Sequence, residues 1–544
     1  MYVKRLIEFA EEHPNLFPPL GYGVKKIDWI VDIEQSGVTF NEVAKQEMVV
    51  PVISRSSGVK ATLLVDKPDY VFGWSDKESG REKSKERHEA YVQLLKEYVE
   101  ATNDDDVRQL IEVLQQPIDY PETLKLGHFI VFRIRDEEFL HRKVAVKRFW
   151  SDYVKPVADE KSAETTCMFC GEKAPIMRRH SINFVVDGER TKMISANKNA
   201  YESHGNKNST VAPTCYVCEQ KYGKALEYLL QREPRTSRGT HMFSVGDLTY
   251  VYWFKKDDEQ LSEEMKMHQF FSMQSEEIGN DLQSMQNALD QVFGKRSEEY
   301  HFNNFCLLVL SANKGRLVVR DYVEESMGTL YDRINTYLEA QQVGSNRLYS
   351  IYTLAGAIYN KANTQLQKVD IRDWFNWAFQ GQPLPGRILI ALMKRIQAEG
   401  AMYAHHAAVL KSWLVSQRGR REWTVSIDYE NKQPAYVLGR TFAVLEKIHQ
   451  EAIGSKDTLA SRFFGSASTT PLAVFGMLIK NAQHHLVKIG GKNEGRKVNL
   501  DKKLTELLGE VEAFPSTLRL TEQAEFALGY YHQKEDLWKK KEDK

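Results

Sequence analysis

Two pairs of cysteines, each with two residues between its members, are the strongest chemical signal in the sequence. The first pair is Cys167 and Cys170 in "CMFC", and the second is Cys215 and Cys218 in "CYVC", after 44 intervening residues. Two such knuckles can supply four thiolates to one tetrahedral zinc ion even when a long insertion separates them. The spacing therefore predicts a structural zinc site, with buried unligated thiols and redox chemistry as the alternatives.

A catalytic alternative centres on His180. Paired cysteine knuckles around a His and an Asn are similar to those of His-Asn-His nucleases, in which the His activates water beside a divalent metal. However, the segment "CYVCEQKYGKALEYLL" contains no His or Asn to hold a catalytic metal, and His204 precedes the second knuckle. A structural role for His180 is therefore favoured, and a zinc-containing, metal-dependent nuclease is kept as the alternative function.

The segment between the cysteine pairs is rich in side chains that bind nucleic acid. From Cys167 to Lys207 there are seven Lys/Arg and four Asp/Glu, a surplus of three. Cations and amides of this kind contact phosphates and base edges, although a solvated loop explains the same composition. The candidate nucleic-acid-binding residues of this segment are Arg178, Arg179, Asn197, Lys198, Asn199 and Lys207.

Two further segments contain candidate DNA contacts. The stretch "RSSGVK" combines small hydroxyls, a glycine and two cations, which suits close approach to a DNA backbone or groove edge. The stretch 480–503 has seven Lys/Arg against two acids around "IGGKNEG" and favours either a loop that follows a single strand or a solvated charged loop. The candidates are Arg55, Ser56, Ser57 and Lys60 in the first stretch, and Lys488, Lys492, Arg496 and Lys497 in the second.

The composition is that of a folded protein with several domains. A chain of 544 residues exceeds what one core usually supports, and roughly 150 residues per domain suggests about three domains. Lys+Arg and Asp+Glu both number 74, so the overall charge leaves a polyanionic partner open. No apolar run is long enough for a bilayer span, and "MYVKRLIEFAEEH" is too acidic for a signal peptide, so we expect a cytoplasmic protein without membrane contact.

Hydrophobic periodicity predicts an α+β, multidomain fold. The first 12 residues predict an amphipathic helix, and "KKIDWIVDIEQ" alternates as a strand does. Residues 54–73 predict a strand, a loop near Arg55–Lys60 and a second strand, and residues 76–116 predict a helix with a solvated outer face. The N-terminal part is therefore expected to be rich in sheet, with the zinc knuckles as an insertion.

The rest of the chain predicts an α+β middle and a C-terminal helix bundle. The middle has a helix at "GNDLQSMQNALDQVF", two strands joined at Asn313-Lys314-Gly315 and a following helix. From about residue 350 the pattern is helical almost throughout, with Thr470 as an N-cap and Pro471 at the first helical position. The expected domains are residues 1–160 for motif recognition, 161–255 for the zinc knuckles and basic loop, 256–350 for the α+β continuation, and 351–544 for the helix bundle.

The chain as a whole resembles the large subunit of the type I-C CRISPR surveillance complex Cascade, the Csd family. The matching segments begin with "SRSSGVKATLLVDKPDYVFG", "CGEKAPIMRRHSINF" and "SANKNAYESHGNKNSTVAPT". They continue with "LSANKGRLVVRDY", "PAYVLGRTFAVLEKIHQEA" and "FPSTLRLTEQAEFALGYYHQ", of which the last two are the most specific. The zinc site is not part of this resemblance and depends on the cysteine spacing alone.

The resemblance implies a nucleic-acid-binding subunit that is not an enzyme. Together with the crRNA-bound backbone and capping subunits, such a protein reads the protospacer-adjacent motif in duplex target DNA, helps to open it, and holds the displaced single strand in an R-loop. It then recruits a separate helicase-nuclease for antiviral defence. Sequence specificity for the long target is left to RNA–DNA pairing, so the protein needs only a few base contacts and many phosphate contacts.

The resemblance also implies that small subunits are made from an internal start within the same gene. Met402 follows a polar "QAEG" break and would give a product of 143 residues, from 402 to 544, which is a plausible domain size. Met393 is an alternative start, although it lies inside an apolar helical run. The bundle from about residue 402 is therefore expected to resemble a small subunit.

Overall fold

The protein has two compact units, and its α+β, multidomain class is the one predicted from the sequence. Unit 1 comprises Met1–Leu230 and Ala312–Val318, and unit 2 comprises Gln231–Ser311 and Val319–Lys544. The computed structural model describes residues 1–34, 37–53, 55, 58–134, 138–155, 164–196, 198–202, 205–231, 241–245, 247–254, 282–293, 304–345, 347–361, 365–417, 423–454 and 458–538.

Unit 1 contains most of the β-structure of the described residues. Its helices are α1 (Tyr2–Glu12), α2 (Pro68–Val71), α3 (Arg81–Thr102), α4 (Asp105–Leu114), α5 (Val144–Tyr153) and α6 (Tyr216–Leu229). Its strands are β1 (Tyr22–Glu34), β2 (Gly37–Pro51), β3 (Val65–Asp66), β4 (Ile130–Ile134), β5 (Glu138–Phe139), β6 (Glu164–Thr166), β7 (Lys173–Pro175), β8 (Phe184–Val186) and β9 (Glu189–Thr191).

The main sheet of unit 1 has the order β2-β1-β4-β3, with β5 paired to β4. Strands β1 and β2 form a long antiparallel hairpin, whereas β1 and β4 run parallel. Because side chains alternate across a strand, Trp29, Val31 and Ile33 face the core that contains α3 and α4. A register irregularity between Ile27 and Trp29 places Ile27 in a smaller core on the opposite face. The predicted strand is thus observed, with the alternation kept from Trp29 to Ile33 and interrupted at Ile27.

Two predicted elements of unit 1 differ in detail. In the 54–73 segment the second strand is reduced to β3, because Pro68 begins the short helix α2 immediately after it. The predicted helix over 76–116 is divided into α3 and α4. The break occurs at Asn103, which has φ +53°, and Asp104 caps α4 by accepting hydrogen bonds from the backbone N–H groups of Asp106 and Val107.

Unit 2 consists of a four-stranded sheet and a large set of helices. The strands are β10 (Met242–Val245), β11 (Leu248–Phe254), β12 (Asn304–Asn313) and β13 (Arg316–Ser326), in that order across the sheet. The helices are α7 (Leu282–Phe293), α8 (Met327–Ala340), α9 (Ile351–Gly356), α10 (Lys368–Gln380), α11 (Gly386–Glu399), α12 (Ala404–Ser416), α13 (Pro434–Ile453), α14 (Leu459–Thr469), α15 (Pro471–Gly490), α16 (Glu494–Gly509) and α17 (Leu520–Trp538).

The sheet of unit 2 is covered by helices on one face. Two aromatic residues of α10 contact this face: Phe375 packs at a tilt against Tyr250, and Phe379 stacks on Phe305. The turn between β12 and β13 lies at the predicted Asn313-Lys314-Gly315, and its tip, Ala312–Val318, groups with unit 1. The α+β organisation predicted for the middle of the chain is therefore observed, and its residues are shared between the two units.

Helix α13 is the centre of the C-terminal bundle. Its predicted stripe of Leu438, Phe442, Leu445 and Ile448 is buried, and the opposite side is largely buried as well. The partner helix α17 approaches closely at Gly439, where an added Cβ would lie 1.9 Å from the carbonyl oxygen of Phe526. Small residues at this crossing thus allow the two helix backbones to touch.

The four-part domain division predicted from the sequence stays a prediction, since the two compact units describe a coarser level of organisation. In the described part of the chain, no helix combines the length and the apolarity that a bilayer crossing requires.

Candidate metal centre and nucleic-acid interface

The four cysteines of the two knuckles lie together in unit 1. Their sulfur atoms are all within 4.8 Å of one another, and Cys170 Sγ is 3.9 Å from Cys215 Sγ. A tetrahedral zinc ion with Zn–S bonds of about 2.3 Å requires sulfur atoms about 3.8 Å apart. Cys167, Cys215 and Cys218 are buried, and Cys170 is exposed. The arrangement fits one tetrahedral ion with four thiolate ligands.

Local backbone structure positions each knuckle. The antiparallel pair β6–β7 brackets the first, and Gly171, with φ +79°, allows the tight turn in which its N–H donates to the Cys167 carbonyl. The second knuckle begins at Cys215, the N-cap residue of α6, which forms an isolated antiparallel bridge with Ile176. These links bring two segments that are distant in the sequence to a single site.

The two thiols of the second knuckle have pKa values shifted in opposite directions. A hydrogen bond from Cys218 lowers the pKa of Cys215 to about 5, and burial opposes this shift. The pKa of Cys218 is correspondingly raised, with the hydrogen bond to Cys215 as the largest cause and burial as the second. Neighbouring thiols compete for one negative charge, and a bound cation would stabilise all of them as thiolates. Among the residues with described positions, this is the only cluster of three or more potential metal ligands.

His180 lies behind the knuckles and is buried, with 2% of its surface exposed. Its Nδ1 is 2.5 Å from the Tyr222 hydroxyl, and burial lowers its pKa to about 4. Its backbone carbonyl accepts a hydrogen bond from Lys192 Nζ at 2.6 Å. These contacts favour the structural role predicted for His180, and they give its ring little access to water. His204 lies outside the described residues.

Glu219 is a structurally important residue of this region that sequence reasoning missed. The carboxylate is fully buried on α6 and accepts hydrogen bonds from the backbone N–H groups of Ser181 and Ile182 at 2.6 and 3.1 Å. The Ser181 hydroxyl donates to it as well, at 2.9 Å. It thereby fixes the chain that follows His180 to the helix that carries Cys218. Its position one residue after "CYVC" was the available signal, since an acid in the first turn of a helix is favourable.

The predicted basic residues between the knuckles lie on the surface. The four cationic candidates are exposed, and none has a carboxylate partner within the described part of the chain. These residues are Arg178, Arg179, Lys198 and Lys207. Asn199 is also exposed and begins a short 3-10 turn, whereas Asn197 lies outside the described residues. These side chains are therefore available to a ligand, as the sequence prediction requires.

Arg55, the first candidate of "RSSGVK", is engaged within the protein. Its guanidinium forms an ion pair with the buried carboxylate of Asp66 and donates to the Lys60 carbonyl at 2.7 Å and to Thr62 Oγ1 at 3.0 Å. It also stacks over the Tyr70 ring. These contacts fix the ends of the loop rather than present the guanidinium to a ligand. Ser56 and Ser57 lie outside the described residues.

Lys60, in contrast, is exposed and lines a cleft of about 960 Å³ in unit 1. Lys155 and Lys224 also line this cleft, together with the aromatic side chains of Tyr153 and Tyr216. Burial lowers the pKa of Lys224 to about 8, and its ammonium donates to the backbone carbonyls of residues 18 and 19. Lys155 pairs with Asp152, another residue of the cleft, at 2.7 Å. Within the described residues, Lys60 is therefore the cleft lysine left without a partner, and it lies beside aromatic surface, a combination typical of nucleic-acid interfaces.

The C-terminal basic segment forms two helices rather than a long loop. The predicted "IGGKNEG" loop is a tight turn between α15 and α16, in which the Asn493 side chain accepts a hydrogen bond from the Arg496 N–H and caps α16. Arg496 forms a two-pronged ion pair with Glu451, and Lys497 pairs with Glu494. Lys488 and Lys492 are exposed at the turn. Two of the four predicted cations are thus neutralised within the protein.

Comparison with known proteins supplies the family. No curated protein matches the chain. The family model described as CRISPR-associated protein (Cas_Csd1) matches residues 2–538, nearly the whole chain, in agreement with the resemblance inferred from the quoted segments. The chain therefore belongs to the Csd family of CRISPR-associated proteins, the large subunits of type I-C Cascade.

Proposed function

We propose that this Cascade subunit recognises the protospacer-adjacent motif in duplex DNA, helps to open the duplex, and stabilises the R-loop by holding the displaced strand. It acts with the crRNA-bound backbone and capping subunits and with small subunits, and it recruits the helicase-nuclease. The observation that supports motif recognition in unit 1 is Lys60, which is exposed, has no ion-pair partner in the described part of the chain, and lines a cleft of about 960 Å³. Cations on the wall of a cleft attract the phosphates of a bound duplex.

The candidate residues have different roles in this function. Lys60 and the exposed cations between the knuckles contact motif-bearing duplex, whereas Arg55 holds the loop in place through Asp66. Lys488 and Lys492 contact the target or displaced strand. One structural zinc, held by the four clustered cysteines, keeps the knuckle region folded, and the complex acts in the cytoplasm.

The subunit is proposed to bind nucleic acid without cleaving it. The alternative nuclease would need His180 to activate water, but this ring is buried and bonded to Tyr222. The two functions are separated by incubating purified protein with plasmid DNA and Mg²⁺ or Mn²⁺. Nicking that is lost in a His180→Gln variant would favour the nuclease, whereas intact plasmid supports the binding role.

The experiment for motif recognition uses the assembled complex with its crRNA and a library of randomised motifs next to a fixed target. Lys60→Ala should weaken binding by about 1–3 kcal/mol and relax motif preference if a base contact is lost, or by a smaller amount for all motifs if only a phosphate contact is lost. Lys83→Ala is the matched control, because Lys83 is an exposed lysine of α3 that does not line the cleft. Equal binding by both variants and the unmodified complex would exclude Lys60.

A further inference from the structure

The tip of the β12–β13 hairpin is fixed against the segment that follows β9 in unit 1. The N–H of Lys192 donates to the Gly315 carbonyl at 3.2 Å, and the N–H of Leu317 donates to the Lys192 carbonyl at 3.0 Å. Lys314 and Gly315 have φ values of +50° and +78°, so the turn is tight. This docking places the side chains of the turn at a defined position on the surface of unit 1.

One consequence is a contact between two segments that are far apart in the sequence. The guanidinium carbon of Arg316 lies 3.6 Å from the centre of the Tyr201 ring. Tyr201 ends the 3-10 turn Asn199–Tyr201 and is 45% exposed, so Arg316 lies over one face and ring surface remains open to solvent. A stacked arginine orients an aromatic ring without burying it.

Two lysines complete the cluster. Lys198 precedes the 3-10 turn, Lys314 lies in the hairpin turn, and both side chains are exposed. The pKa of Tyr201 is lowered by a hydrogen bond with Arg316, then by the charge of Arg316, and further by the charges of Lys198 and Lys314. These three positive charges therefore act on the same ring. In the described part of the chain, neither lysine has a carboxylate within ion-pair distance.

An open aromatic ring among cations suits one class of ligand best. Every nucleobase has a flat face that stacks on an aromatic side chain, and the phosphates on either side of it interact with lysines. An acidic peptide would use the cations but gains nothing specific from the ring. In a closed duplex the base faces are occupied by their neighbours, so stacking on Tyr201 requires an unpaired strand.

We propose that Tyr201, Arg316, Lys198 and Lys314 form a stacking surface for unpaired nucleic acid, in which Tyr201 contacts a base and the lysines contact phosphates. This site rests on the proposed function and assigns residues to the capture of a single strand. Its residues are distinct from those that line the cleft containing Lys60. It joins the segments "SANKNAY" and "SANKGRL" into one surface, although 114 residues lie between Tyr201 and Arg316 in the sequence.

The first experiment measures binding of fluorescein-labelled oligothymidylate by fluorescence anisotropy, with the full chain alone and within the assembled complex. Tyr201→Leu removes the ring and should weaken binding roughly 5- to 100-fold, whereas Tyr201→Phe keeps the ring and should retain near-normal affinity. Lys314→Ala should reduce the dependence of log affinity on log salt by about one unit or slightly less. Lys83→Ala serves as the control lysine variant.

A second experiment isolates the stacking contact. The same variants are measured with an oligonucleotide of equal length and charge that lacks its bases. The effect of Tyr201→Leu should largely disappear on this ligand, because no base is left to stack, while the effect of Lys314→Ala should persist. A Tyr201→Leu effect of equal size on both ligands would overturn the stacking assignment. Displacement of oligothymidylate by polyglutamate at matched charge would instead show a general anion surface.

The stacking surface and the proposed function can fail independently in these experiments. If Tyr201→Leu and Lys314→Ala bind every oligonucleotide as the unmodified protein does, and the complex still binds target duplex, the stacking surface is wrong and the proposed function stands. If the unmodified complex binds neither target duplex nor single strand, the proposed function fails as well. Circular dichroism of each variant checks that the chain remains folded.

Discussion

The Arg55 guanidinium lies 4.1 Å from the centre of the Tyr70 ring while its terminal nitrogen pairs with the buried carboxylate of Asp66. Asp66 also accepts hydrogen bonds from the backbone N–H groups of Thr62 and Lys67, both at 2.9 Å. Burial raises the pKa of Asp66, and Arg55 opposes that shift by charge and hydrogen bonding. Arg55 therefore stabilises a buried charge and, through the Lys60 carbonyl, links its own backbone position to that of Lys60.

Arg55→Ala is expected to destabilise unit 1 by about 1–3 kcal/mol, because it leaves a buried carboxylate without its cation. The loss is smaller than for a fully buried ion pair because the arginine is 25% exposed and solvent partly screens its charge. The deficit should shrink as the pH falls, since removing Arg55 raises the pKa of Asp66 further and a protonated Asp66 no longer needs a cation. Denaturant unfolding at pH 7.5 and pH 5 measures both effects.

Two further variants test whether the unpaired Asp66 carboxylate causes this loss of stability. Adding Asp66→Asn to Arg55→Ala should recover part of the lost stability, because the unpaired charge is removed. Lys60→Ala should leave the unfolding midpoint unchanged, since its side chain is exposed and has no ion-pair partner among the residues described. If Arg55→Ala unfolds like the unmodified protein at both pH values, Arg55 is free for a ligand and its structural role is refuted.

One zinc ion per chain is the second expected result. Cys167→Ser with Cys215→Ser should remove the metal, because each knuckle loses a ligand, whereas Cys306→Ser should retain it, because Cys306 is buried in β12 outside the cluster. Elemental analysis gives the stoichiometry. Metal release should increase as the pH falls, since protons compete for the thiolates. A folded protein that contains no metal after expression in zinc-supplemented medium would contradict the zinc assignment.

Helices α13 and α17 cross at two glycines that leave no space for a larger side chain. Gly439→Ala should destabilise unit 2 by about 3 kcal/mol, because the new methyl group would overlap the Phe526 carbonyl oxygen and push the helices apart. Gly529→Ala should do the same, since its Cβ would lie 2.2 Å from the Tyr436 carbonyl oxygen. Thermal unfolding of the full chain measures both variants.

The control is Gly476→Ala in the exposed part of α15, where nothing lies within 4 Å of an added Cβ. It should stabilise the protein by about 0.5–1 kcal/mol through reduced backbone entropy of the unfolded chain. Equal effects of Gly439→Ala and Gly476→Ala would show that the helix crossing is not tightly packed. All three glycines lie in helices, so the helix propensity gained by alanine is the same at each. The change in stability should therefore differ in sign only because of the space around the added methyl group.

The elements and contacts that sequence could predict are those determined by nearby residues. The strand β1, the turn at Asn313-Lys314-Gly315 and the Pro471 start of α15 all follow from local chemistry, and they are observed. The bulge that moves Ile27 to the opposite face had no such local signal. The break between α3 and α4 also had a local signal in Asp104, whose side chain caps the second helix, but the continuous charged pattern concealed it. The cysteine pairs were recognisable because metal ligation requires a fixed spacing.

The contacts that sequence could not supply depend on the tertiary structure. Nothing in the composition indicates that Arg316 stacks on Tyr201, because that contact depends on where the hairpin docks. Similarly, the pairing of Arg55 with Asp66 and of Arg496 with Glu451 converts predicted DNA-binding cations into structural ones. A cation counted in a sequence window is available to phosphate only if no carboxylate reaches it in the fold, and that depends on tertiary structure.

The internal start at Met402 has a physical consequence for the small subunit that it would produce. Helix α12 begins at Ala404, and its residues from His406 to Leu414 are all buried. Helices α8, α9 and α11, which precede Met402 in the chain, pack against it. A product of residues 402–544 lacks these helices, so it must expose apolar surface that the full chain covers.

Lys411 on α12 also depends on residues that precede Met402. Its ammonium is buried and donates to the backbone carbonyls of Glu339 and Gln342 at 3.3 and 2.9 Å, and burial lowers its pKa to about 8. Both acceptors are absent from a product that starts at residue 402. The free product should therefore bind a hydrophobic dye and self-associate, and it should become dye-negative only when its apolar face is covered in the complex.

Expression of the whole gene with a C-terminal tag, followed by intact-mass analysis, tests whether the product exists. A second tagged species near the mass of 402–544, abolished by Met402→Leu with the ribosome site silently altered, is the expected result. A single full-length species that still assembles a fully active complex would refute the internal start. Dye binding and sedimentation of the separately expressed 402–544 fragment then test the exposed face of α12, and a monomer that binds no dye would contradict that part of the prediction.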